Sequence, residues 1–114
     1  MVTVYGIKNC DSVKKALAFL KKHEIEYDLV DFKSTHVDCA TIKQWLEHTD
    51  LKTLFNTRGT TYRTLGLKAL NLDDEAKIEW LGKENMLIKR PVVEHDGKVM
   101  VGFDLARYEG AFLS

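Results

Sequence analysis

Proline is nearly missing from this chain of 114 residues, which holds one, and with seven glycines no stretch is rich enough in either to read as a linker. Without a composition break or an internal repeat, one domain over residues 1–114 is expected. Net charge is missing as well. Seventeen Lys and Arg balance seventeen Asp and Glu, so no global field invites nucleic acid or an anionic membrane as a partner. No apolar run nears the roughly 20 residues of a bilayer-spanning helix. The opening MVTVYGIKNC lacks a basic leader and a small-residue cleavage site, so a cytoplasmic location is expected. Cysteine is scarce. Cys10 and Cys39 are too few for a disulfide framework, and a reducing compartment would leave both as thiols. The histidines at 23, 36, 48 and 95 show no ligand spacing with one another or with a cysteine, which predicts no metal.

What is present is a core's worth of apolar residues, 45% of the chain, in a legible order. Residues 2–7 and 25–32 are strand-like runs rich in β-branched side chains. Between them Val13, Ala16, Leu17 and Leu20 fall at helical spacing, with Asp11 or Ser12 as N-cap and Lys21 and Lys22 in the last turn. This predicts a β-α-β unit with parallel strands. Residues 36–86 turn helical. Asp38 offers a cap for a helix burying Ile42, Trp45 and Leu46; a second helix carries Ala76, Ile78, Trp80 and Leu81; short helices broken at Gly59 and Gly66 lie between. The run IKRPVVEHDGKVMVGF predicts an antiparallel hairpin turning at Asp96-Gly97. A last helix, capped by Asp104, presents Leu105, Tyr108 and Phe112 toward a core. The α/β order is therefore β-α-β, helical insert, β-β-α.

Cys10 stands where the first strand gives way to the first helix. A thiol is a poor nucleophile until it ionises, and a helix N-terminus favours the thiolate through its unpaired N–H groups. Lys8, Lys14 and Lys15 add positive charge nearby, while Asp11 opposes it. Cys39, inside a predicted helix with no cation beside it, reads as packing. The chain's proline, Pro91, follows Arg90 and opens a strand, where it costs no ladder bond and where a cis peptide is inexpensive. Arg90 and Arg58, taken alone, are anion-binding forks or solvated surface charges.

Four motifs in order, YGIKNCDSVKKA, NTRGTTYR, LIKRPVV and VGFDLARY, resemble the YffB branch of the arsenate reductase (ArsC) family, relatives of the Spx regulators, over essentially the whole chain. The resemblance implies a thioredoxin-like fold with a helical insertion. It also implies that Cys10 is the nucleophile, that Arg90 and Arg58 bind an oxyanion or carboxylate, and that Pro91 is similar in placement to the cis-proline facing the cysteine in such folds. Lys14 either holds charge near the sulfur or is a solvated helix residue, and Tyr5 and Asn9 are read as scaffold.

Two departures shape the expected function. The arsenate reductases carry a further arginine beyond the hairpin turn, near where this chain reads MVGFD with Gly102 as the closest match, leaving Lys98 or Arg107 as substitutes; loss of one charged donor from such a site costs on the order of 3 kcal/mol in the transition state. The regulators' C-x-x-C pair is here Cys10-Asp11-Ser12-Val13, with no second thiol to close a disulfide. A single-cysteine site needs an external thiol to resolve its mixed disulfide. The expected activity is therefore a glutathione-dependent thiol-disulfide oxidoreductase with no bound cofactor and glutathione as co-substrate, its carboxylates meeting Arg58 or Arg90. Arsenate reduction and Spx-like binding to RNA polymerase are the alternatives.

Overall fold

The computed structural model describes residues 1–113. Four strands form one sheet in the order β2-β1-β3-β4. β1 (Val2–Gly6) and β2 (Tyr27–Asp31) run parallel, from Val2↔Tyr27 to Gly6↔Asp31, and α1 (Asp11–Lys22) joins them. β3 (Val92–His95) lies antiparallel to β1, with Thr3 opposite Glu94 and Tyr5 opposite Val92. β4 (Lys98–Val101) closes the hairpin. Its turn needs two residues of positive φ, and Asp96 at 49° and Gly97 at 72° supply them.

Strand alternation sorts the core into two layers. On one face Val2, Val4 and Val93 meet Ala16, Phe19 and Leu20 of α1 and Tyr108 of α6 (Leu105–Phe112). On the other, Val92 and Val101 meet the helical segment between β2 and β3, through Ile42, Trp45, Leu54, Leu81 and Leu87. The expected thioredoxin-like order is the one the chain adopts.

The insert is α2 (Cys39–Trp45), α3 (Leu51–Leu54), α4 (Thr60–Thr64) and α5 (Asp74–Lys83), with 3-10 turns at Leu67–Leu70 and Asn85–Leu87. Short helices have few internal bonds, so their ends are held by side chains. Asp38, Asp50 and Asp73 accept from the N–H groups of Thr41, Thr53 and Ala76 at 3.0, 2.6 and 2.8 Å. Gly59 heads α4, and Gly66, at φ 63°, opens the 3-10 turn that follows it.

Three expectations are corrected. The N-cap of α1 is Cys10 itself, not Asp11 or Ser12: Cys10 is extended, at φ −143° and ψ 125°, while its carbonyl already accepts from Lys14 N–H at 2.9 Å. Cys39 is not interior to its helix but the first residue of α2, directly after the Asp38 cap. Leu105 does not face a core. It is 54% exposed, because the apolar stripe of α6 narrows to Tyr108, which packs edge-on to Phe19, and to Phe112 beside it.

Candidate functional site

The position of Cys10 follows from how α1 is docked. Gly6, at the end of β1, lies under Val13: a Cβ on Gly6 would stand 2.7 Å from Val13 Cγ2, so no larger residue permits this approach. The Gly6 carbonyl accepts from Phe32 N–H at 2.9 Å, which fixes the strand end from the other side. Cys10 is half-buried against the core layer that faces the insert, and its side chain makes no capping bond to the helix. The first-turn N–H groups of a 12-residue helix therefore have no side-chain cap from that position.

Pro91 comes to the same end of the sheet. One step beyond the pair Tyr5↔Val92 stand Gly6 and Pro91, and the Arg90–Pro91 peptide bond is cis. Gly102 N–H donates to the Pro91 carbonyl at 2.8 Å. Gly102 has φ 81°, a backbone conformation that side-chain-bearing residues rarely hold. The position where the resemblance leads one to look for a third arginine is thus a glycine by conformation as well as by sequence.

The cations divide into those near this end and those away from it. Arg90, bonded to Pro91, donates through Nη1 to the Met86 carbonyl at 3.0 Å, while its buried Nε–H has no hydrogen-bond partner among the described residues. Arg107 Nη1 approaches the Val101 carbonyl at 3.4 Å, beside Gly102. Lys14 is exposed one helical turn after Cys10, on its side of α1. Lys98 is excluded as a substitute donor. It pairs with His95 at the hairpin turn and lines a cavity of about 410 Å³ with Met1 and Thr3, at the opposite end of β1 from Cys10.

Arg58 is exposed on the loop after α3. Its N–H donates to Asn56 Oδ1 at 3.1 Å, a local turn that aims the loop. The same loop is pinned to the segment before Arg90: Phe55 bridges Ile88, Asn56 N–H donates to the Leu87 carbonyl, and Lys89 N–H to the Leu54 carbonyl, both at 2.8 Å. Among the described residues no hydrogen bond or ion pair joins Arg58 to Cys10 or Arg90.

Of the two residues read as scaffold, Tyr5 is tied into the packing between the sheet and the insert. Tyr5 donates its hydroxyl to Glu94 Oε1 at 2.9 Å, and Trp45 Nε1–H donates to Oε2 at 2.8 Å, with the two rings edge-on at 4.9 Å. Burial first, then the hydrogen bond and charge of Glu94, push the Tyr5 phenol up to about 12. Asn9 is exposed. Cys39 lies close against Gly82 of α5, with Sγ 3.7 Å from the Ile78 carbonyl, so the small residue at 82 is what lets α2 and α5 approach. Among the described residues no three His, Cys, Asp or Glu side chains gather as a metal needs, and no helix is long and apolar enough to cross a membrane.

A family model described as the ArsC family matches residues 5–111. The chain belongs to the ArsC family. Within it, the solved structure of a YffB protein is 35% identical, with a TM-score of 0.89 and full coverage of both chains. An arsenate reductase (ArsC) related protein from Brucella melitensis is 42% identical, with a TM-score of 0.75, over 97% of this chain and 93% of its own. The global transcriptional regulator Spx of Staphylococcus epidermidis is 30% identical over 106 residues, 91% of this chain and 81% of that protein.

The sequence passed over Lys89, whose Cε lies 3.5 Å from where a Cβ on Gly102 would stand, and Lys52. Exposed lysines look alike in a sequence. The one signal was that residues 51–72 carry four cations and no acid.

Proposed function

We propose that this ArsC-family chain is a glutathione-dependent thiol-disulfide oxidoreductase with Cys10 as its single nucleophile. The observation that carries the reading is a half-buried cysteine, making no side-chain cap bond, at the start of a 12-residue helix and at the end of the sheet where Pro91 also stands. The Cys10 thiolate attacks the glutathione sulfur of a mixed disulfide R–S–S–G. The S–S bond breaks, R–S⁻ leaves and takes a proton, and Cys10 is left bonded to glutathione. A second glutathione thiolate attacks the glutathione sulfur of that adduct, returning Cys10 as thiolate and forming glutathione disulfide. The sum is R–S–S–G + GSH → R–SH + GSSG: the electron pair that departs with R–S⁻ is matched by the pair the incoming glutathione thiolate brings, and no cofactor takes part. The half-used guanidinium of Arg90 and the turn-held Arg58 suit the carboxylates of glutathione.

The test is turnover of a glutathionyl mixed disulfide, coupled to NADPH through glutathione reductase. Wild type and Cys39→Ser are expected to turn over, and Cys10→Ser to fall to background. Full activity in Cys10→Ser would end the proposal.

Arsenate reduction is the second reading, favoured by the Arg107 guanidinium beside Gly102 and by the relatedness of the Brucella protein; saturable arsenate turnover with glutathione and glutaredoxin would promote it. Binding to RNA polymerase is the third, drawn from the Spx relative. It calls for a complex with polymerase that survives Cys10→Ser.

A further inference from the structure

The region beside Arg90 holds two cations that the reaction above does not use, Lys52 and Lys89, grouped with the Arg58 that it does. Lys52, Arg58 and Lys89 line a cavity of about 270 Å³ together with Thr53, Asn56 and Thr57, and no carboxylate lines it. Asp50, the acid nearest in sequence, has its carboxylate bonded to Thr53 N–H at 2.6 Å as the cap of α3. Among the described residues none of the three cations makes an ion pair, the one pair being His95 with Asp96. Like charges left unpaired around one cavity repel each other, and an anion there relieves that repulsion.

The cavity walls are held in place by backbone. Lys52 comes from α3, Arg58 from the Asn56 turn, and Lys89 from the strand-like segment that pairs with residues 54–56. Lys89 joins this group to the thiol end. Its Cε stands over Gly102, whose N–H is bonded to the cis-proline carbonyl. Gly102 has no side chain to occupy that space.

We propose that Lys52, Arg58 and Lys89 form a carboxylate-binding subsite that holds a terminal carboxylate of the glutathionyl group, with Lys89 taking the space and the charge that an arginine at 102 would supply. This rests on the reading of Cys10 as a glutathione-dependent site. The subsite selects thiols by their charge: a carboxylate meets two ammonium groups and a guanidinium fork, while a neutral thiol gains nothing from them.

The test is calorimetric titration with S-methylglutathione, which cannot exchange, into the Cys10→Ser protein and into the same protein with Lys52→Gln and Lys89→Gln; thermal midpoints confirm that each is folded. The double lysine change is expected to weaken binding about tenfold at low salt, with a smaller difference at high salt, where exposed charges are screened. Equal affinities overturn the subsite, as does absence of binding. A second titration with inorganic phosphate separates the sources of the anion: phosphate binding without S-methylglutathione binding makes the cavity a site for free oxyanion and overturns the carboxylate assignment. Failure of Cys10 itself is read separately, in the coupled turnover assay, where Cys10→Ser would keep its activity whatever the titrations show.

Discussion

The two faces of the sheet are held by different means. Beneath α1 and α6 the contacts are mainly apolar and aromatic, with Phe19 5.6 Å from Tyr108 and 6.2 Å from Phe112 and Phe103 4.8 Å from Tyr108, and one buried hydrogen bond runs from the Tyr108 hydroxyl to the Gly102 carbonyl at 2.9 Å. Beneath the insert, apolar packing is joined by two polar clamps, one half-buried at Glu94 and one buried at Asn85. Glu94 accepts from Tyr5 and Trp45. Asn85, 5% exposed, accepts from Val37 N–H at 2.8 Å and donates to the carbonyls of Val37 and Leu81, each at 2.9 Å. The lesson is that α1 and α6 are secured mainly by the apolar area they cover, whereas the insert adds directional bonds that fix where its segments enter.

The largest break in this contrast is Phe19→Ala, which removes the α1 ring that packs on Tyr108 and Phe112 of α6. It is expected to cost roughly 3–5 kcal/mol, read as a lowered urea midpoint; a loss under 1 kcal/mol would mean the face repacks freely. Next is Asn85→Ala. It leaves one N–H and two carbonyls without their partner, for a loss of about 3 kcal/mol. Hydrogen exchange should show that loss concentrated at 36–46 and 74–88, and uniform loss across α1 and α6 would contradict the division between faces.

A smaller effect sharpens the comparison by pH. The Asp38 carboxyl is held below its usual 3.8 by hydrogen bonds from Thr41, backbone first, and that of Asp50 by bonds from Thr53. Their folded values lie below their unfolded ones, so the native state binds fewer protons. The contribution is present above the unfolded value and is lost as pH falls through the folded one. Thermal midpoints between pH 6 and 3 should fall less steeply in an Asp38→Asn, Asp50→Asn protein than in wild type, and parallel curves would show that these caps play no part.

The same contrast governs what could be read in advance. The Val13, Ala16 and Leu20 stripe announced α1, and Asp96-Gly97 announced the hairpin, because each rests on neighbours in sequence. Asn85 announced nothing, since its partner Val37 is 48 residues away and a lone Asn among Lys, Glu and Met looks solvated. The N-cap of α1 was misread because Asp11 is a better capping residue than cysteine; the docking of Val13 over Gly6 starts the helix at Asp11 and leaves the thiol in the cap position. Cys10 and Pro91 were legible as types and as a family pattern, and their common sheet end needed the β1–β3 register. The lysines of the proposed subsite were not, because charge in a sequence carries no address.

The pairing of β1 with β3 has a consequence for the order in which the protein can be made. β1 holds β2 on one side through residues 27–31, but its other side is met by residues 92–94. A chain emerging from the ribosome therefore exposes one edge of its first strand until about ninety residues have been joined, and only then can the open edge be covered. The last hairpin is thus the piece that ends the nascent chain's exposure.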